Sequence, residues 1–509
     1  MPLSRVRLSV PESDRGGGAG IRQADLRWAW GAIALLLVLR FGYSVWVPPN
    51  PDEAYYWLWG RYPALSYYDH PPLLAWVQGL TYQLFGRSAW ALRLPTWLSL
   101  AGLLATYAWL LRQLSPRHWR SLWPILTATL LASPLFFNFT LLAWNDHLLL
   151  LTVLLANTSL LQWLRPAAGQ PPRRRWLLLA SQVLGLAGLC KYSALLVGLA
   201  MGLTVLLTPS ARQRLHDWRT LLAAVSGGIW LLPVLLWNAR HGQQSFDYYL
   251  TRTGGWQFKP LEMVAFWVYV LLLLSPLLAW LLWQGWQRLQ GRLPSIYRRL
   301  AVWNWGLTLA VMSWVALTSL AYYYWTLTAW LLLLPLVPLL LAQGRRRDRR
   351  LWRAGLGYGL LAAALITVNS GVFPLAALGG DLSSDPDSRL LFGWSQVVQQ
   401  VRPRLTREPE RQLLTTDYRT GAILAWQLDN PRVAVWSDRQ DQFDVWATQA
   451  GGVLPPDAAA LILTDDWHPV PPELQQHFRH WRSLSSIEIR RFGRLIQRYH
   501  LAEAEGWQP

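Results

Sequence analysis

Stretches of about 20 residues with almost no charged side chain recur along most of this chain. An α-helix of that length crosses the hydrocarbon core of a bilayer, whereas a soluble protein of 509 residues would divide into domains with alternating polar faces. The charged fraction is only 15%, against roughly 25% in soluble domains. The sequence therefore predicts an all-α polytopic membrane protein with about eleven transmembrane helices, near residues 28–47, 89–111, 121–140, 146–164, 176–190, 192–208, 220–237, 261–283, 301–319, 322–342 and 354–372.

The net charge of +19 comes almost entirely from arginine, since the only lysines are Lys191 and Lys259. These arginines cluster in the loops between apolar segments and form no single basic face, so we exclude nucleic acid as a partner. Loops on one side of the predicted spans hold 25 arginines, and the loops 48–88 and 238–260 on the other side hold five basic residues. By the positive-inside rule, this bias places the N-terminal tail, 1–27, in the cytoplasm, and an odd number of spans then places the C-terminus outside.

The chain changes character beyond about residue 373. Leucine runs stop, and Asp, Pro and Gly become common. The short apolar runs 433–436 and 458–463 are typical of buried strands, and 421–428 is typical of a helix. We predict a small α/β domain at 373–509 on the periplasmic side, following a transmembrane domain at 28–372.

The outer loop at 48–88 holds the most informative sequence of the chain. It begins PPNPDEAYYWLWG, so Asp52 and Glu53 stand directly beyond a membrane span and precede an aromatic cluster that contains Tyr55. Pro51-Asp52 is a typical helix start, so a purely structural interpretation gives Asp52 a capping role. The chemical interpretation is a general base, because a hydroxyl or amine acceptor must lose a proton as it attacks. We predict that Asp52 is this base, that Glu53 contacts the substrate or is structural, and that Tyr55 contacts the substrate.

An ordered set of strings resembles bacterial glycosyltransferase family 39, which includes lipid A aminoarabinose transferases and is related to protein O-mannosyltransferases. The strings are PDEAYYWLWG, LSYYDHPPLLAW and LFGRSAWALRLPTWLS, then WNDHLLLLT near 144, GLCKYSALL near 188 and LWNARHGQQSF near 236. The resemblance covers the membrane region, about three-quarters of the chain, whereas a lone Asp-Glu pair would be weak evidence. The resemblance implies a GT-C fold, a polyprenyl-phosphate-sugar donor such as undecaprenyl phosphate, and inversion at the anomeric carbon. It also implies that Asp52 occupies the position of the catalytic aspartate.

Two further acidic positions follow from this resemblance. Asp69-His70 stands where an aminoarabinose transferase has an acidic residue and a lysine beside the donor phosphate. A neutral His70 keeps one hydrogen bond but no permanent charge, which argues against aminoarabinose as the sugar; the structural alternative is a Pro-Pro turn. Asp146, in a predicted outer turn, resembles the second acidic position of GT-C enzymes, with helix capping as the alternative. Asp146 and His147 supply too few ligands for a metal site, so we predict no metal and no cofactor.

Cations are needed to neutralise a lipid phosphate. Lys191 lies within apolar sequence, and an ionisable group at membrane depth is a functional candidate unless it extends to the headgroups. Arg93 and Arg240 are further candidates, because a guanidinium binds phosphate oxygens in pairs. Tyr323 is a candidate donor contact, although an aromatic belt at the membrane interface explains it equally well.

The predicted function is transfer of a monosaccharide from a polyprenyl-phosphate donor to a lipid, glycan or protein acceptor at the outer face of the bacterial inner membrane. One alternative is a lipid or sugar transporter, for which the sequence lacks the expected repeated halves. Others are a lipid-linked polysaccharide polymerase or ligase, and an inactive binding protein. The string SDRQDQFDVW, which begins at Ser437, also resembles bacterial members of the family, but no role follows from it.

Overall fold

The computed structural model describes residues 20–166, 170–254, 256–379 and 385–509, so most of the tail predicted at 1–27 lies outside the described residues. Within them, six helices are long and apolar enough to cross a membrane, or eight when each of two bent helix pairs counts as one span. The prediction of a helical membrane protein with a small sheet region near the C-terminus is confirmed. The count of about eleven spans stays a prediction.

The apolar helices follow the predicted segments closely. The six long ones are Gln23–Trp46, Ala89–Leu114, Asn145–Leu164, Trp218–Arg240, Ser295–Thr318 and Arg346–Gly371, and Trp218–Arg240 contains a 3-10 turn at Ser226–Leu231. The bent pairs are Trp119–Leu131 with Pro134–Leu141, at 82°, and Pro260–Leu274 with Pro276–Leu289, at 87°. Both breaks fall at a proline, which has no backbone N–H to continue the helical ladder.

The segment 322–342, predicted as one span, is divided into short pieces. These are a 3-10 turn at Tyr323–Thr326 and the helices Leu327–Trp330 and Leu336–Leu341. Pro335 and Pro338 lie in this stretch, and each removes a backbone donor that a continuous helix needs. Hydrophobicity therefore predicted correctly that the segment is apolar, but it did not predict that the segment is broken into short helices.

Shorter helices connect these spans and build the C-terminal region. In the first part of the chain they are Pro51–Arg61, Leu73–Phe85, Arg174–Cys190, Ala194–Leu206, Pro209–Arg214 and Gln244–Thr253. In the C-terminal region they are Leu375–Gly379 (3-10), Pro386–Arg389, Trp394–Arg407, Tyr418–Leu428, Gln442–Ala450 and Pro472–Gln476.

A six-stranded mixed sheet forms the core of the C-terminal region. Its strands are β1 Gln412–Thr415, β2 Val433–Val435, β3 Ala460–Asp465, β4 Phe478–Ser483, β5 Ile487–Arg491 and β6 Arg494–Trp507. The order is β2-β1-β3-β6-β4, and β5 also pairs with β6. The β1 strand is parallel to β2 and β3, and β6 is antiparallel to its partners. The two predicted strands and the predicted helix at 421–428 are all present.

The chain divides into two compact units. The first consists of Met1–Phe41, His70–Leu73 and Thr96–Ala364, and the second of Gly42–Asp69, Leu74–Pro95 and Leu365–Pro509. The second unit thus combines most of the first outer loop with the C-terminal sheet region. The domain boundary predicted near residue 373 stays a prediction.

Within the second unit, two close approaches fix the helix Pro51–Arg61, which we call the Asp52 helix. It meets the helix Leu73–Phe85 at two glycines, because a Cβ on Gly60 would stand 2.6 Å from the backbone nitrogen of Gly79. It also packs against the helix Tyr418–Leu428, which we call the Tyr418 helix, where the rings of Trp57 and Trp426 lie 5.0 Å apart, edge to face. Neither approach would tolerate a displaced helix, so the side chains of the Asp52 helix are placed firmly.

Candidate active site

The start of the Asp52 helix is capped by a different residue from the one predicted. Asn50 is the N-cap, and its side-chain oxygen accepts a hydrogen bond from the N–H of Glu53 at 2.9 Å. Glu53 completes a capping box by accepting from the N–H of Asn50 at 3.1 Å. The capping interpretation of Asp52 was therefore wrong, because Asn50 and Glu53 form the cap.

Asp52 is the only residue between Pro51 and Gly60 that is not buried. The hydroxyl of Tyr418 donates a long hydrogen bond of 3.4 Å to its Oδ1. The pKa of Asp52 is raised to about 6, because burial and the carboxylates of Asp387 and Asp69 raise it more than Arg439 and Arg419 lower it. A partly exposed carboxyl group with a pKa near neutrality has the properties of a general base.

Asp69 belongs to the same cluster. Its Oδ2 accepts from the hydroxyl of Tyr55 at 2.8 Å, and its Oδ1 forms an ion pair with Arg439. The backbone N–H of Gln442 in turn donates to the Tyr55 oxygen at 2.8 Å. The ring of Tyr55 lies 5.0 Å from that of Tyr418. The structure thus brings together three predicted site residues, Asp52, Tyr55 and Asp69, with three residues of the C-terminal region that were not predicted, Tyr418, Arg439 and Gln442.

Glu53 and Arg93 form a buried ion pair and are both fully inaccessible to solvent. Arg93 Nε donates to Glu53 at 2.8 Å and Nη2 at 2.5 Å, and the remaining N–H groups bond to the carbonyl oxygens of Tyr43, Val47 and Pro48. All five N–H groups of the guanidinium thus have protein acceptors. We therefore replace the phosphate role predicted for Arg93, and the substrate contact predicted for Glu53, by a structural role.

In the other unit, Asp146 and Lys191 form a second buried ion pair. Lys191 Nζ lies 2.7 and 2.9 Å from the two carboxylate oxygens of Asp146 and 4.9 Å from the centre of the Tyr324 ring. Asp146 lies in the first turn of the helix Asn145–Leu164, which has no side-chain cap at its start. The predicted outer turn is therefore helical there, and Asp146 bonds to a lysine instead of capping the helix.

Two further predicted site residues of this unit are His70 and Arg240. His70 Nδ1 lies 2.6 Å from the hydroxyl of Tyr249, on the helix Gln244–Thr253. The same helix carries Arg252, whose guanidinium lies 5.1 Å from the centre of the Tyr322 ring. Arg240 ends its helix with an exposed side chain, and it takes part in neither the His70–Tyr249 contact nor the Arg252–Tyr322 contact.

The ring of Tyr323 packs beside that of Tyr324, which is the ring that lies over Lys191. The Tyr323 ring is 5.5 Å from that of Tyr324 and 6.0 Å from that of Phe139. The sequence made Tyr323 the candidate, but in the fold the ring that lies over Lys191 is that of Tyr324. Among the described residues, no group of three or more His, Cys, Asp or Glu side chains converges as a metal site would require.

Sequence reasoning missed Tyr418 and Arg439, which contact Asp52 and Asp69. They follow those residues by 366 and 370 positions. The only signal was the family-like string SDRQDQFDVW, which contains Arg439 at its third position.

The fold is that of the GT-C glycosyltransferases. The structure of ArnT from Cupriavidus metallidurans bound to undecaprenyl phosphate superposes with a TM-score of 0.61, covering 93% of this chain and 98% of that one at 16% identity. The apo structure of the same protein gives a TM-score of 0.63, covering 94% and 98%, also at 16% identity. At this identity the likeness establishes the fold.

Sequence comparison points to the same group. Residues 69–237 match the family described as dolichyl-phosphate-mannose-protein mannosyltransferase. The chain is 24% identical over 454 residues to the lipid A galacturonosyltransferase RgtD of Rhizobium johnstonii, covering 85% of this chain and 89% of that protein. These matches confirm the resemblance to family 39 that the sequence motifs predicted.

Proposed function

We propose that this protein is an inverting glycosyltransferase that moves one sugar from a polyprenyl-phosphate carrier to an acceptor, with Asp52 as the general base. The observation that carries the proposal is the state of Asp52. It is a partly exposed carboxyl group between buried residues of its helix, and burial together with neighbouring carboxylates raises its pKa to about 6. General bases work best with a pKa near the ambient pH, since they are then ionised and still accept a proton readily.

The reaction is a single displacement. An acceptor oxygen or nitrogen attacks the anomeric carbon as the bond from that carbon to the carrier phosphate breaks, and the bonding electrons leave with the phosphate. Asp52 accepts the proton that the acceptor loses. Attack opposite the leaving phosphate inverts the anomeric configuration. Because the phosphate leaves as an anion, the leaving group needs no acid, and the one carboxylate acts on the acceptor.

We assign the Lys191 group to binding of the carrier phosphate. Lys191 carries a buried positive charge that is paired with the carboxylate of Asp146. An ionisable pair at membrane depth is expensive to keep and marks a ligand site by default. Arg252, held against Tyr322, replaces the exposed Arg240 as the second cation in this assignment.

The carrier-phosphate assignment is tested by binding alone. In detergent, Lys191→Ala should weaken binding of undecaprenyl phosphate by roughly tenfold or more, because one charge-assisted contact is lost. Lys259→Ala is a matched control, since Lys259 is the only other lysine of the chain, and it should bind as the wild type does. Equal affinities of the two variants would remove Lys191 from the site.

The name of the relative RgtD supports galacturonic acid as the sugar and lipid A as the acceptor. The replacement of a permanent cation by His70 is consistent with a sugar other than aminoarabinose. We further propose that the reaction takes place on the periplasmic side of the bacterial inner membrane, the side to which the charge bias of the loops assigns the loop 48–88.

The test is a transfer assay in liposomes with undecaprenyl-phosphate donors of galacturonic acid, mannose and aminoarabinose, and with lipid A as acceptor. Mass spectrometry of the extracted lipids should show one added hexuronic acid. Asp52→Asn should lower turnover by about 10²–10⁴-fold while leaving undecaprenyl phosphate binding intact. Substantial turnover in this variant would reject Asp52 as the base, and the absence of transfer from every donor would reject the proposed substrates.

A further inference from the structure

A short segment of the C-terminal region lies along the first outer loop, within the second unit. The N–H of Tyr68 donates to Gln442 Oε1 at 2.8 Å, and the Tyr68 hydroxyl donates to Gln440 Oε1 at 3.3 Å. The rings of Tyr55 and Phe443 stack with centres 5.8 Å apart. Together with the ion pair of Arg439 and Asp69, these contacts commit most of the segment 437–443 to the loop that carries Asp52.

The position of Arg439 links this segment to Asp52. Its guanidinium carbon lies 4.2 Å from the centre of the Tyr418 ring, close enough for a cation–π contact. The hydroxyl at the far end of that ring is the group that donates to Asp52. Asp69, whose side chain is only 6% exposed, fixes the guanidinium on its other side. Asp69, Arg439, Tyr418 and Asp52 therefore form a continuous chain of contacts.

We propose that Arg439 and Tyr418 are positioning residues for Asp52, so that the C-terminal region completes the catalytic centre. Asp69 orients Arg439, Arg439 holds the Tyr418 ring, and the Tyr418 hydroxyl holds the Asp52 carboxylate in its ionised form. This inference rests on the proposed role of Asp52 as the base. It gives a function to the string SDRQDQFDVW, from which sequence analysis drew none.

The charges that face Asp52 come from several elements of this unit. Besides burial, Asp387 and Asp69 raise its pKa, whereas Arg439 and Arg419 lower it. Arg419 is shared between Asp417 and Asp387, and its guanidinium lies 5.9 Å from the centre of the Tyr418 ring. Arg439 lies closer to that ring, at 4.2 Å, so it makes the stronger contact with the tyrosine that donates to Asp52. Removing Arg439 takes away one favourable charge and leaves Asp69 unbalanced. Both changes disfavour ionised Asp52, so its pKa should rise.

The experiment measures the ionisation of Asp52 directly in the full-length protein in lipid nanodiscs. A carbodiimide with an amine nucleophile labels protonated carboxyl groups, and peptide mass spectrometry follows labelling of Asp52 between about pH 4 and pH 8. Arg439→Ala should move the midpoint upward by about one pH unit, and Tyr418→Phe should move it upward by less. Arg439→Lys keeps the charge and should stay close to the wild type.

Arg407→Ala is the matched control, because Arg407 is an exposed arginine of the same region. Midpoints of Arg439→Ala and Tyr418→Phe that coincide with this control would overturn the proposal. If Arg439→Ala fails to fold, Tyr418→Phe decides, since it removes only the hydroxyl that donates to Asp52. The labelling needs no substrate, so it also separates the two proposals: a shifted midpoint in a protein that transfers sugar from none of the three donors would reject the proposed substrates and keep the linkage to Asp52.

Discussion

Asp52 and Asp146 both stand in the first turn of a helix, one in each compact unit, but their surroundings differ. Asp146 is 3% exposed and holds both oxygens of its carboxylate against Lys191. Asp52 is partly exposed, and the hydrogen bond from Tyr418 to it is long. Glu53, the neighbour of Asp52 in the chain, resembles Asp146, since it is buried against an arginine. A carboxylate held in a buried ion pair supports structure or charge balance, whereas one without such a pair remains available for proton transfer.

The largest effect is expected from a substitution that tests the contrast between Asp52 and Glu53. Glu53→Ala leaves Arg93 charged and buried without its partner, which should destabilise the protein by about 3–5 kcal/mol. Thermal unfolding in detergent, followed by size-exclusion chromatography, measures this loss. Asp52→Ala is the control and should unfold close to the wild-type temperature. If both variants unfold alike, the distinction between the two carboxylates is wrong.

The next prediction concerns the ion pair of the other unit. Asp146→Ala should destabilise the protein by about 3 kcal/mol, because Lys191 stays buried and loses its counter-ion. Replacing both partners by apolar residues of similar size, Asp146→Leu with Lys191→Met, should restore stability to within about 1 kcal/mol. The double variant should nevertheless bind undecaprenyl phosphate poorly. A stable double variant with wild-type affinity would limit the pair to a structural role.

A smaller effect is expected from pH. A base with a pKa of about 6 works only when it is ionised, so turnover at low substrate should be constant above that pH and fall about tenfold per unit below it. The sign follows from the raised pKa, since a carboxylate of ordinary pKa would keep its activity to near pH 4. A transfer assay across this range checks the prediction. An acid limb near pH 4 would contradict the surroundings described for Asp52.

The smallest effect is expected at an exposed ion pair of the same helix. Arg61 lies 3.4 Å from Asp429, and their side chains are 23% and 42% exposed. Solvent screens such a pair, so Asp429→Ala should change stability by less than about 1 kcal/mol. The same unfolding assay provides the measurement. A loss of stability as large as that of Glu53→Ala would mean that solvent exposure does not determine how much each ion pair stabilises the protein.

Local sequence predicted much of the fold. The apolar segments predicted where the long helices lie, and the strands at 433–435 and 460–465 were recognisable from short apolar runs. Proline determined where two spans bend, but the angles of 82° and 87° follow from packing that no local pattern records. The division of 322–342 into short pieces was missed because a hydropathy pattern is insensitive to lost backbone donors.

The candidate site divides in the same way. Motif and position identified Asp52 as the candidate base, and Lys191 was conspicuous as a charge in apolar sequence. The contacts of the site residues were not predictable. Asn50 caps the helix in place of Asp52, and the N–H groups of Arg93 donate to Glu53 and to three carbonyl oxygens. Residue type shows that a group can bind phosphate, but only its neighbours show whether its donors are already satisfied.

By itself, the sequence determined a membrane protein with a carboxylate directly after its first apolar helix, because hydrophobicity and residue order are local properties. Tertiary structure alone decided that Tyr418 and Arg439 reach this loop from more than 360 residues away. It also decided which acidic residues are neutralised. The physical reason is that ion pairing and burial depend on distances between side chains, which chain separation does not specify.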